Sequence, residues 1–154
     1  MKQTFETARG VLLFNLLCTL CNGVLHIAGS PYHFFYGLKL PDFVSERGLG
    51  VYLPALLLSL VLCGGTWVLS SKKDFYLLIG ALILGADFCL CGYSLAVNGL
   101  SVLPVCDLLL HALFIVLSVR GYIAAKKIKE QEKIEKATEE MLRSMMEAQN
   151  GSDS

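Results

Sequence analysis

Four long apolar segments alternate with shorter polar ones along the chain. They cover residues 10–29, 50–70, 75–97 and 101–123. Each has the roughly 20 mostly apolar residues that a helix needs to cross a bilayer core. The first segment follows Lys2 and Arg9 but lacks a clear cleavage site, so we interpret it as an uncleaved span rather than a signal peptide. The pattern predicts an all-α protein, a four-transmembrane-helix antiparallel bundle with a C-terminal cytoplasmic helix, because short connections favour neighbouring helices of opposite direction.

The pattern changes near residue 123, where charged residues become frequent. We therefore predict a transmembrane domain at 1–123 and, at 124–154, a charged amphipathic cytoplasmic helix with a frayed tail. Ile134, Met141 and Met145 recur at helical spacing and form an apolar stripe on this helix. The stripe is a candidate contact surface for a partner protein.

The charged residues predict how the chain is oriented in the bilayer. Lysine and arginine total 13, aspartate and glutamate also total 13, and the mean hydropathy of the chain is +0.59. This balance argues against nucleic acid as a partner. Positive charges concentrate at one predicted end of the bundle, which favours cytoplasmic N- and C-termini. These residues are Lys2, Arg9, Lys72, Lys73, Arg120, Lys126, Lys127 and Lys129.

Ionisable and polar residues interrupt three of the four predicted spans. Such residues are costly in hydrocarbon and usually face the interior of a bundle. Counting along the helices places His26, Asp87, Asp107 and His111 in the outer half of the membrane, and residues four apart form one polar stripe per helix, with Tyr93 near the stripe of Asp87. We predict that they line an outward-facing polar pocket. The candidate ligand- or ion-binding residues are Asn22, His26, Asp87, Tyr93, Asp107 and His111.

The chemistry of these residues leaves several uses open. Aspartate and histidine together can relay protons, ligate a divalent metal or hold a small cationic ligand. They can also pair with one another to keep the helices in register. The pattern does not choose among these uses.

The connection between the first two spans is long and aromatic. Tyr32, Phe34, Phe35, Tyr36 and Phe43 lie within a dozen residues. Such rings favour the headgroup layer, which predicts an interfacial belt or a short amphipathic segment. The alternative is a lid over the predicted pocket.

All six cysteines fall within the predicted spans. Cys18 and Cys21 form a CxxC, a spacing used by redox dithiols and soft-metal sites. A soft-metal site shared with Cys91 and Cys106 is therefore a further hypothesis. Most membrane cysteines act as small apolar packing residues instead.

The layout resembles the DoxX-like group of small four-span membrane proteins. The shared features are chain length, a first span ending near His26, and the sequence ERGLG at Glu46–Gly50 opening the second span. The resemblance covers the membrane part and implies the fold, but the group has no uniform activity that would imply a function. The cysteine content and the charged tail depart from the group.

Together these patterns predict a small integral membrane protein whose outward-facing pocket binds or passes a small ligand, proton or metal ion. The alternative is a non-catalytic interaction or scaffold subunit, and a third hypothesis is a thiol-based redox protein. We predict no catalytic residues and name no cofactor. Small residues on the helix faces would allow a homodimer within the bilayer.

Overall fold

A computed structural model describes residues 1–34, 36–99 and 101–152 of the chain, with the backbone alone described at 98 and at 147–152. Within these ranges the regular elements are all helical, as predicted. Phe35 of the aromatic connection lies outside the described residues. The helices are α1 (Lys2–Ile27), α2 (Lys39–Val44), α3 (Leu49–Ser70), α4 (Phe75–Asn98) and α5 (Val102–Ser152), with a short 3-10 turn at Ser45–Arg47.

The helices α1, α3, α4 and α5 each contain a segment long and apolar enough to cross a membrane. The prediction of four long apolar helices is confirmed, and the bounds of α3 and α4 agree with it to within one residue. The helix α1 begins eight residues earlier than the predicted span. The first turns of α1 include polar residues. Ala8 is nevertheless fully buried, so the packing of α1 begins before residue 10.

Each of the four long helices packs mainly against two others. The helix α1 contacts α3 and α5, and α4 contacts the same two helices. Large apolar side chains point away from this packing: Leu57, Leu82 and Leu109 are 64–67% exposed. The interior is partly polar instead. Its buried polar residues are Asn15, Thr19, Asn22, Ser59, Thr66, Ser70, Asp87, Asp107, His111 and Ser118.

The helices α1 and α5 approach each other closely where Ala8 meets Gly121. A Cβ atom added at Gly121 would collide with the Cβ of Ala8, and neither atom belongs to a flexible side chain. By contrast, Gly85 and Gly92 on α4 have open space around them. Glycine is therefore required for helix packing at Gly121, but packing does not require it at those two positions.

Gly121→Ala is expected to lower the free energy of unfolding by about 1–3 kcal/mol, because the backbones of α1 and α5 must separate. Gly92→Ala is the matched control. It should leave stability unchanged or raise it by up to about 1 kcal/mol, because alanine is the better helix former. Equilibrium unfolding of the two variants in detergent micelles measures both effects. Equal stability of the two variants would show that the α1–α5 contact is looser than the structure indicates.

The last helix continues far beyond the packed region. It runs without a break from Val102 to Ser152, and its side chains from Lys129 to Met146 are all exposed. Lys129 pairs with Asp74 in the connection between α3 and α4. The hydrogen bond from Lys129 lowers the pKa of Asp74. The predicted division of the chain at residue 123 stays a prediction, because a single helix passes through it.

Candidate functional site

The connection between α1 and α2 enters the space between the long helices, and two α1 side chains hold it there. The Asn22 amide donates to the carbonyl oxygens of Phe34 and Tyr36 at 3.3 and 3.1 Å and accepts from the Phe34 N–H at 2.7 Å. One turn earlier, the Thr19 hydroxyl accepts from the Leu38 N–H at 3.0 Å. These bonds satisfy backbone groups that would otherwise be buried without partners.

Gly37 makes this insertion possible. Its φ of 147° is a backbone conformation that other residues rarely adopt. A Cβ at this position would lie 2.9 Å from the Asn22 amide nitrogen and 3.5 Å from the Thr19 backbone. The segment that follows, α2, packs against α3 and α4.

A fully buried histidine joins two buried aspartates from different helices. His111 on α5 places its Nε2 atom 2.7 Å from Asp87 Oδ2 on α4. Its Nδ1 atom lies 2.9 Å from the backbone carbonyl of Asp107, one turn earlier on α5, and 3.3 Å from Asp107 Oδ1. A carbonyl oxygen only accepts, so Nδ1 carries a hydrogen. His111 Nε2 and Asp87 Oδ2 would then both carry lone pairs. Because these two atoms lie only 2.7 Å apart, a proton or another cation must lie between them.

Lys39 completes this group of charges from α2. Its Nζ atom lies 3.0 Å from Asp107 Oδ2, and its backbone N–H donates to Asp87 Oδ1 at 2.7 Å. Burial lowers the pKa of Lys39, but the carboxylates of Asp107 and Asp42 outweigh this effect and raise it above its ordinary value. We refer to Lys39, Asp87, Asp107 and His111, with the adjacent Cys91, as the charged cluster.

The charges of the cluster do not cancel unless a further positive charge is present. Two carboxylates face one ammonium group, which leaves one negative charge. An uncompensated charge in a buried site is strongly unfavourable. Either a further proton is held between His111 and Asp87 or another cation binds beside Asp87.

Aromatic rings pack beside the cluster. The ring of Tyr36 lies 4.8 Å from that of His111 and 5.1 Å from that of Phe114. Burial and the nearby Asp87 and Asp107 carboxylates raise the pKa of Tyr36, so its hydroxyl stays neutral. Within the described ranges this buried hydroxyl has no hydrogen-bond partner.

A pocket of ≈ 260 Å³ opens beside α2 and leads to Lys39. Lys39 contributes to its wall while its ammonium group contacts Asp107 in the cluster. Asp42 also lines the pocket and lies 3.8 Å from the Lys39 Nζ atom. The remaining lining residues are Phe43, Glu46, Leu90, Tyr93, Ser94 and Val97.

Of the six residues predicted for a polar pocket, three lie together in the cluster and three have other partners. Asp87, Asp107 and His111 lie together in the cluster, whereas Asn22 anchors the inserted connection. His26 stacks on Tyr52 with ring centroids 3.9 Å apart. Tyr93 is 58% exposed and packs edge-on against Phe43 at the pocket.

The four cysteines suggested as soft-metal ligands also separate. Cys91 joins the cluster, with its Sγ atom 3.8 Å from Asp107 Oδ2 and 3.9 Å from His111 Nδ1. Cys18 is buried on α1, whereas Cys21 and Cys106 are exposed. The CxxC pair therefore has one thiol inside the packing and one outside it.

The sequence analysis did not identify Lys39 as a site residue and did not predict the burial of Tyr36. One signal for Lys39 was available: two aspartates and one histidine in the spans leave a negative charge to be balanced. Lys39 is the lysine closest in sequence to the aromatic part of the connection. No signal in the sequence distinguishes Tyr36 from its aromatic neighbours.

Comparisons with known proteins add no assignment to this geometry. The chain matches no protein-family model, no curated protein and no solved structure. A functional assignment therefore depends on the residues themselves.

Proposed function

We propose that this chain is a multi-pass membrane protein that binds a small cation at its charged cluster, admitted through the pocket beside α2. In this proposal the four long helices cross the bilayer as an antiparallel bundle. The apolar side chains exposed around the packed helices support it, because such a surface suits lipid better than water. The DoxX-like resemblance belongs to the same proposal, at the level of architecture alone.

The proposal places both termini in the cytoplasm and the pocket on the opposite side. Positive charges support this orientation. Arg9 donates to the Ser70 hydroxyl at 3.3 Å, and Lys129 pairs with Asp74, so the basic ends of the long helices lie near one another. Lys39 and the pocket belong to the connection between α1 and α3, at the other ends of these helices.

The observation that carries the cation proposal is the position of Lys39. Its ammonium group fills the cation position at Asp107 while its side chain forms part of the pocket wall. The Asp87 carboxylate, in contrast, receives only the backbone N–H of Lys39. The cluster thus contains two carboxylates and one ammonium group, that of Lys39. In this proposal a cation from outside binds between Asp87 and His111.

Removing the tethered cation tests whether a small cation can reach the cluster. Lys39→Ala should destabilise the protein by about 2 kcal/mol, since Asp107 loses a charged hydrogen bond. Methylammonium should then occupy the vacated position and restore about 1.4 kcal/mol at ten times its Kd. The measurement is the Tm of the full chain in uncharged detergent, with sodium chloride at equal ionic strength as the reference.

Two controls make this result specific. The wild type should show a smaller methylammonium response than Lys39→Ala, because Lys39 fills the position at Asp107. The double variant Lys39→Ala/Asp107→Asn should lose the added response because the anion at that position is gone. The same methylammonium response in wild type, single variant and double variant would refute the proposed route.

The exposed half of α5 supports a second function, recruitment of a partner protein. Ile134, Met141 and Met145 are each more than 60% exposed. Flexible methionine side chains suit contact with a partner helix. This function is compatible with cation binding at the other end of α5.

A further inference from the structure

Three different metal-ligating groups converge inside the charged cluster. Asp87 and Cys91 lie one turn apart on α4, and His111 faces them from α5. One ligand atom from each, a carboxylate oxygen, a thiol sulfur and an imidazole nitrogen, lie within 4.8 Å of one another. All three residues are more than nine-tenths buried.

The atoms that face the centre of this group lack regular hydrogen bonds. In the part of the chain that the structure describes, Asp87 Oδ2 and His111 Nε2 have no hydrogen-bond partner of normal geometry, although they lie 2.7 Å apart. The Cys91 thiol makes only long contacts of 3.8 and 3.9 Å. Buried polar atoms are normally satisfied, so either a proton or a metal ion lies between Asp87 Oδ2 and His111 Nε2.

The second ring nitrogen of His111, Nδ1, is held as in the histidine ligands of metal sites. This atom is held by the Asp107 carbonyl at 2.9 Å, which fixes the orientation of the ring. Ligating histidines characteristically donate their second ring N–H to a carbonyl or carboxylate in this way. Nε2 is thereby left to coordinate an ion on the side of Asp87, and Cys91 Sγ lies beside the same ring, 3.9 Å from Nδ1.

We propose that Asp87, Cys91 and His111 bind a divalent transition-metal ion of the Zn²⁺ class. This inference rests on the proposed function and names its cation. The donor set decides the class: Mg²⁺ and Ca²⁺ take oxygen ligands, whereas sulfur and imidazole nitrogen together select Zn²⁺ and similar ions. Asp107 acts as a positioning residue, since it orients His111 and pairs with Lys39.

The ligand atoms need only local movement to form the site. Bond lengths of about 2.0–2.3 Å place tetrahedral ligand atoms about 3.3–3.7 Å from one another. The Asp87–His111 contact of 2.7 Å must therefore open, and the Cys91 thiol, which lies 3.9 Å from His111 Nδ1, must turn towards Nε2.

Titration of the chelator-treated full chain with Co²⁺ or Zn²⁺ alone tests the site. We expect one equivalent of Co²⁺ to bind with a thiolate-to-metal charge-transfer absorption, and Zn²⁺ to displace it. Cys91→Ser should abolish the absorption and weaken binding at least tenfold, since loss of even an outer partner costs 10–100-fold in metal affinity. Cys89→Ser, an exposed cysteine on the same helix, should leave both unchanged.

X-ray absorption at the zinc edge of the wild type provides a test that does not depend on a variant that folds. The expected result is one sulfur ligand at about 2.3 Å. A zinc shell without sulfur, or equal loss in Cys91→Ser and Cys89→Ser, would overturn the metal site.

The outcomes also separate this inference from the proposed function. Rescue of Lys39→Ala by methylammonium without Co²⁺ or Zn²⁺ binding to the wild type overturns the metal site and leaves cation binding in place. Sulfur-ligated metal without methylammonium rescue supports the metal site and refutes the pocket as the route. Failure of both tests refutes both proposals.

Discussion

His111→Leu is expected to lower the free energy of unfolding by about 3–5 kcal/mol, more than any other single substitution in the charged cluster or its supporting connection. The leucine fills a similar volume but leaves two buried carboxylates, Asp87 and Asp107, with Lys39 as the positive charge that remains beside them. Equilibrium unfolding in detergent micelles, without added metal, measures the loss.

A second variant shows whether charge is the cause. Asp87→Asn/His111→Gln replaces the ion pair with two neutral amides that can still hydrogen-bond. It should be more stable than His111→Leu, because neutral partners avoid the uncompensated charge. A double-mutant cycle on Asp87 and His111 should give a coupling of about 1–3 kcal/mol. A cost below about 1 kcal/mol for His111→Leu would mean that the cluster is open to water.

Gly37→Ala is expected to cost about 3 kcal/mol and to release Lys39 from the cluster. The new side chain meets a strained backbone conformation, which costs about 1–3 kcal/mol. It also meets the Asn22 amide nitrogen at 2.9 Å, so this amide must shift and weaken its bonds to the connection. Hydrogen–deuterium exchange at the Leu38 and Lys39 amides should rise, because both donate to side chains of the long helices.

Gly29→Ala is the matched control for this variant. Gly29 also has a positive φ, 65°, but a Cβ there meets open space. We expect a cost of about 1–2 kcal/mol from backbone strain alone, with exchange at Leu38 and Lys39 unchanged. Equal behaviour of the two variants would show that the inserted connection does not hold Lys39 in place.

Regular helical spacing explains which part of the site could be predicted. Asp87 and Cys91 are four residues apart, as are Asp107 and His111, so each pair lies on one face of its helix whatever the surroundings. Polar residues inside apolar helices face inward, so the two pairs meet. Tyr93 lies six residues after Asp87, which turns it about 240° around the helix and away from that face.

Backbone hydrogen bonds explain why Lys39 could not be placed. Its position depends on Asn22 and Thr19 holding the backbone of the connection between the helices. Every residue offers a backbone carbonyl and almost every residue an N–H, so such bonds leave no periodic pattern in the sequence. The same limitation applies to Tyr36, whose burial follows from where the connection enters and not from its residue type.

The helix α5 connects the charged cluster to the exposed end of the chain without a break. From His111 to Met146 the helix is about 50 Å long at 1.5 Å per residue, and the side chains of its outer half are exposed. A tilt of about 5° at the cluster displaces the far end by about 4–5 Å, a distance comparable to one helical turn. The contact between Lys129 and Asp74, which restrains this arm near its base, is an ion pair with an exposed lysine and is correspondingly weak. A rigid tilt of α5 at His111 would therefore be amplified at the far end of the helix.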